Sequence, residues 1–179
     1  SDSAPTAEAR NQARKAIKGI TALEEESLVQ LRDSASLQEI EAARKKVWVE
    51  RLVKLMFRAQ AEYKIREGEE LPVLKLIRES VGSDDPKEYY DLVRLTLGRG
   101  AWRTIRAHVY NFLRFEYFIT TMGDREDSVY PVKGSSLVKY LMYLKSRGIK
   151  PTVPAAMRAA CIWISARFMM PIGSIEHNP

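Results

Sequence analysis

The chain has 179 residues, 45% of them hydrophobic, with nine Gly, eight Pro and one Cys, which suits one ordinary domain carrying an appended arm and lies outside the disordered range. No run of about 18 apolar residues occurs, so a transmembrane helix is excluded and no membrane partner is expected; Cys161 with His108 and His177 is too few for a disulfide or a zinc cluster, and no cofactor is expected. Residues 1–91 hold 16 basic and 18 acidic side chains, net −2, whereas residues 92–179 hold 13 basic and 5 acidic, net +8, and that asymmetry implies an anionic partner for the C-terminal half.

In chain order, the opening "SDSAPTAEARNQARKAIKG" has no apolar core of a secretory signal and begins on Ser rather than Met, as expected of a trimmed chain or a fragment. Residues 6–18 read as a short helix ended by Gly19, and Leu23, Leu28 and Leu31 give a weak second stripe, so the first 34 residues read as an arm. Ser36 and Glu39 form a capping box. Apolar residues then recur at 37, 40, 43, 47, 52, 55, 56, 59 and 63, predicting a helix of roughly 30 residues ended by Gly68. Pro72 opens another helix, closed by Gly82; Asp85 and Pro86 cap and open the next, closed by Gly98.

From Arg99 to Gly123 the pattern predicts a long amphipathic helix with Trp102, Ile105, Val109, Phe112, Leu113 and Tyr117 on one face. A loop over "DREDSVYPVKG" follows, then a helix capped by Ser135 or Ser136 and ended by Gly148. Thr152 is expected to cap the last helix, with Pro154 in its first turn. Period-two alternation never persists beyond four residues. The expected class is an all-α bundle of about seven or eight helices.

Catalytic motifs are missing: no G-x-S-x-G, Walker loop, G-x-G-x-x-G or H-E-x-x-H occurs, so the chain is not read as an enzyme. The acidic runs at 24–26 and 84–85 read as a solvated helix surface and a cap, His108 as surface or a phosphate contact, and Cys161 as a buried, inert thiol of a reducing, intracellular compartment. The C-terminal cations form three groups: Arg99, Arg103 and Arg106 at the start of the long helix; Lys145, Arg147 and Lys150 around Gly148; Arg158 and Arg167 on the last helix, opposite Trp163 and Phe168. Nucleic-acid binding requires cations fixed at phosphate spacing and free amides at helix starts, which Thr152 beside Lys150 is expected to supply. The competing explanation is solubility, with Lys145 and Arg147 placed by the helix macrodipole.

Two stretches carry a family resemblance. "TIRAHVYNFLRFEYFI", with Thr104, Phe112, Phe115 and Phe118, and "SSLVKYLMYLKSRGIKPTVPAAMRAACIWIS", with Tyr140, Leu141, Leu144, Arg147, Gly148, Pro151, Thr152 and Val153, then Ala156, Ala159, Ala160 and Trp163, resemble the N-terminal core-binding domain of tyrosine recombinases, the phage-integrase-like family. The resemblance covers residues 99–170. It implies a SAM-like four-helix DNA-binding domain over 99–179, an N-terminal helical arm or extension over 1–98, and a half-clamp on duplex DNA. By position it implies Arg103, Arg106, Lys150, Thr152 and Arg158 as DNA contacts, with Arg99, Lys145 and Arg147 as supporting phosphate contacts. The family's catalytic Arg, His-x-x-Arg and Tyr have no counterpart here, since His108 is followed by Val-Tyr-Asn. The chain is therefore expected to be a non-catalytic fragment of a DNA recombinase or a descendant that kept only binding, working in the nucleus or nucleoid. The rival expectation is a helical adaptor or assembly subunit that binds another protein or itself through the N-terminal helices, with Trp48, Val49 and Phe57 as its apolar face.

Overall fold

Caps, prolines and glycines divide the chain largely where the sequence places them. A computed structural model describes residues 7, 8, 11, 36–81 and 85–171. The helix expected over 6–18, the weak stripe of Leu23, Leu28 and Leu31, and the stop at Gly82 fall largely or wholly outside those residues. The described residues form six helices: α1 (Leu37–Glu67), α2 (Pro72–Val81), α3 (Pro86–Leu97), α4 (Trp102–Met122), α5 (Gly134–Ser146) and α6 (Thr152–Arg167). Among them there is no strand, only an isolated bridge between Val129 and Val132. The class is all-α.

The Ser36–Glu39 capping box forms in both directions, and Gly68 ends α1 in the left-handed conformation, as its spacing predicts. Asp85 accepts the Lys87 amide at the head of α3, beside Pro86. Three starts differ from expectation. α4 begins at Trp102, because Gly100 (φ 98°) and extended Ala101 hold residues 99–101 outside the helix. α5 begins at Gly134 with no side-chain cap, and Ser136 instead donates to buried Asp127. α6 also has no side-chain cap: Pro151 precedes it, and Thr152 is its first helical residue.

α4 is the central element. Ile105, Val109, Phe112 and Phe115 are fully buried on it, with Trp102, Phe118 and Ile119 nearly so. α1 runs alongside in the same direction: Arg44 meets Trp102, Arg106 meets Trp48, and Arg58 meets Glu116. α6 runs the opposite way, with Trp163 stacked on His108 and the Arg167 guanidinium donating to the Leu97 carbonyl. α3 packs on α1, where Gly98 approaches so closely that an added Cβ would lie 2.9 Å from Val49 Cγ2. α2 closes on α3 and receives the Phe168 carbonyl at the Val73 amide. α5 covers the far end of α4 through Phe118, Tyr140 and Tyr143. One buried cluster takes side chains from Trp48 to Met170, so packing continues across residue 98.

α5 ends in a glycine turn that leads into α6. Gly148 adopts φ 68°, its amide binds the Lys145 carbonyl, and the Ile149 amide binds the Leu144 carbonyl. This is a Schellman closure, with partly buried Ile149 packed toward buried Leu144. No atom would lie within 4 Å of an added Cβ, so the requirement for glycine is conformational. Gly148→Ala is therefore expected to lower the urea midpoint at constant m, by about 1 kcal/mol of stability; an unchanged midpoint would contradict this reading of the turn.

Candidate functional site

The C-terminal charge excess survives folding because its acids are already engaged. Four acids lie between residues 92 and 171: Glu116, Asp124, Glu126 and Asp127. Glu116 receives Arg58 at 2.9 Å and the Tyr130 hydroxyl. Asp127 and Asp124 bind Lys139 at 2.9 and 3.4 Å, and Glu126 lies 3.7 Å from Lys133. These pairs surround the α4–α5 connection. Among the described residues they leave Lys145, Arg147 and Lys150 at the α5–α6 corner without a partner acid.

At the corner, Lys145, Arg147, Lys150 and Thr152 are all exposed. Arg147 lies over the Tyr143 ring at 5.4 Å, which orders its guanidinium without neutralising it. No ion pair engages Lys145, Arg147 or Lys150 among the described residues. The helix start contributes less than expected. Pro151 and Pro154 carry no amide hydrogen, and the Val153 amide is taken by the Lys150 carbonyl. The Thr152 amide and hydroxyl are left as the donors, in the positive field of the α6 terminus.

At the other end, Arg99 is exposed in the connection before α4, not in its first turn. Arg103 and Arg106 are within α4 and lie over indole rings: Arg103 on Trp102 at 4.8 Å, Arg106 on Trp48 at 5.8 Å. Arg103 also has Glu41 at 3.8 Å. Arg158 is half-buried midway along α6 and has a partner within the fold. Arg167 covers Trp163 at 4.3 Å, so it does not lie opposite that ring; burial, then the charge of Arg99, lowers its pKa. His108 is half-buried on the same indole, its pKa lowered by burial and then by Arg167, so it is neutral at neutral pH and adds no charge.

Seven of the eight sequence-predicted residues thus form two groups, not one, and Arg158 lies between them. α6 starts eleven residues before Trp163, and Arg103 stands five residues before His108. At 1.5 Å per residue the antiparallel pair separates Thr152 from Arg103 by about 24 Å along the helix axis. Sequence reasoning missed Arg44 and Arg51 of α1, which share the two indoles with Arg103 and Arg106. Arg44 has no local mark, because its ring partner Trp102 lies 58 positions away, whereas the Trp48–Arg51 spacing of three on one helix was a local signal. Trp48 and Val49 are buried in the core and cannot form the apolar partner face expected of them; only Phe57, in ring contact with Tyr90, is exposed.

Cys161 is fully buried and burial pushes its thiol up, away from thiolate chemistry. Among the described residues no group of three or more His, Cys, Asp or Glu is placed to hold a metal, and no helix is long and apolar enough to cross a membrane. No family model, curated protein or solved structure matches the chain.

The acid-consuming network is testable by pH. Burial alone would raise the Asp127 carboxyl, but hydrogen bonds from Lys139, the Asp124 amide and Ser136 outweigh it and hold it below the usual range. A carboxyl lowered in the folded state stabilises fully above its unfolded pKa of about 3.9 and loses that contribution as pH falls through the lower folded value. Asp127→Asn should therefore cost about 2 kcal/mol at neutral pH, with the gap to the parent closing below about pH 4. A gap independent of pH would contradict the ionised network.

Proposed function

We propose that this chain is a DNA-binding module that seats the phosphates of duplex DNA on the α5–α6 corner. The observation that carries the reading is the pairing of charge: no ion pair engages Lys145, Arg147 or Lys150 among the described residues. The C-terminal acids are engaged around the α4–α5 connection, and Lys145, Arg147 and Lys150 project beside an uncapped helix start. Exposed cations with no ion pair are what a phosphate backbone requires of a surface. Phosphate contacts position a module and give affinity in any sequence; base recognition is assigned to no residue.

The module resembles the SAM-like core-binding domain of a tyrosine recombinase, with α4, α5 and α6 as three of its helices and the Gly148 corner as the shared feature. In that reading, these residues bind DNA, and the compartment is a nucleus or nucleoid. A second reading, a helical adaptor or assembly subunit, rests on the exposed ring pair Phe57 and Tyr90 at 5.9 Å.

Lys145→Ala with Lys150→Ala removes two exposed cations, unpaired among the described residues, from a surface where neither packs in the core. The double variant should keep the parent melting temperature and bind a short random-sequence duplex roughly ten- to hundredfold more weakly at moderate salt. Parent affinity in the folded variant would remove the corner from the interface and favour the adaptor reading.

A further inference from the structure

Arg147 differs from its two neighbours at the α5–α6 corner in being held at both ends of its side chain. Its amide donates to the Leu144 carbonyl at 3.2 Å, and the next amide, that of Gly148, donates to the Lys145 carbonyl at 3.0 Å, so the turn pins its backbone. Its guanidinium lies over the Tyr143 ring at 5.4 Å, whereas Lys145 and Lys150 have no ring against them among the described residues. The Tyr143 ring is itself fixed. It lies 4.9 Å from the Phe118 ring, and Phe118 stacks on Tyr140 at 4.6 Å. Phe118 and Tyr140 are buried, so a column of three rings runs from the core to the base of one exposed guanidinium.

The Tyr143 hydroxyl is buried and has no hydrogen-bond partner among the described residues, so the contacts of this side chain are those of its ring. A guanidinium presents a planar fork of N–H donors that fits two oxygens of one phosphate. One that already rests over a ring has less freedom to lose when it binds. A lysine ammonium on its flexible stem brings the same charge with neither advantage.

We propose that Tyr143 is a positioning residue of the corner: held by Phe118, it fixes Arg147 as the planar, bidentate phosphate contact around which Lys145 and Lys150 add charge. The proposal rests on the duplex-binding reading and deepens it. Affinity at the corner then depends on the placement of one guanidinium as well as on the number of charges.

The test titrates the parent chain and its variants with one short random-sequence duplex over a range of salt. Arg147→Gln removes a charge and should lower the log–log salt slope by about 0.9. Tyr143→Leu keeps every charge, so it should bind about three- to tenfold more weakly at the parent's slope, and should add no further loss once Arg147 is Gln. Tyr143→Phe keeps the ring and should bind as the parent does. Arg147→Lys, at an exposed position, repeats the test without touching the aromatic column and should show a similar loss at the parent's slope. If Tyr143→Leu does not fold, Arg147→Lys decides. Parent affinity in Tyr143→Leu or in Arg147→Lys, a loss in Tyr143→Phe as large as that of Tyr143→Leu, or a Tyr143→Leu loss that persists in full beside Arg147→Gln would overturn the positioning role, while a weakened Arg147→Gln leaves the duplex reading standing. A parent chain that ignores the duplex at low salt would overturn both.

Discussion

Burial of α4 on two sides is the constraint on which the rest of the molecule depends. Ile105, Val109, Phe112 and Phe115 are fully removed from water, each contributing roughly 1.5–3 kcal/mol relative to exposure. Satisfying that much apolar surface takes two neighbours, and α1 and α6 occupy the two flanks in opposite directions. Once those directions are set, the ends of α4 acquire distinct characters. Its first turns emerge beside α1 with arginines and indoles, and its last turns meet the α4–α5 connection, where the acids are engaged. Neither character is a property of one helix alone.

Charge follows from the same geometry. Glu116 is tied to Arg58 of α1 and to buried Tyr130, whose hydroxyl burial, then Glu116, raise well above its usual range. Asp124 and Asp127 are tied to Lys139 of α5. These pairs join elements to one another, so the acids act as fasteners, and the cations of the candidate site lie toward the two ends of the α4–α6 pair. The ends are about 24 Å apart along the axis, more than two Debye lengths of about 10 Å at 0.1 M salt. Each is therefore a separate positive field, and only an extended polyanion would experience both at once. A small anion or a short acidic peptide would meet one or the other.

Local chemistry was legible in the sequence wherever one turn of chain decides the outcome. The Ser36–Glu39 box, Asp85 before Pro86, and the glycines at 68, 98 and 148 stand at the helix ends their types predict. The apolar spacing of α4 identified most of its buried face, although Phe115 and Phe118 replace Leu113 and Tyr117 as its most buried positions. Long-range pairing was not legible. Trp48 and Val49 stray from the main α1 stripe because they face α4 and α3, not because they await a partner. Ser136 looks like a cap by type, but a buried carboxylate nine residues earlier claims its hydroxyl. The candidate site split for the same reason. Its residues are neighbours by charge along the chain, while the antiparallel run of α6 against α4 carries Thr152 and Arg103 to opposite ends.

The most direct measurement is the salt dependence of duplex affinity for the unaltered chain. If Lys145, Arg147 and Lys150 at the corner all seat on phosphates, the logarithm of the association constant should fall with the logarithm of salt at a slope of about −2.7. A slope near zero, or no detectable complex at the lowest salt, would contradict a charge-driven grip on DNA.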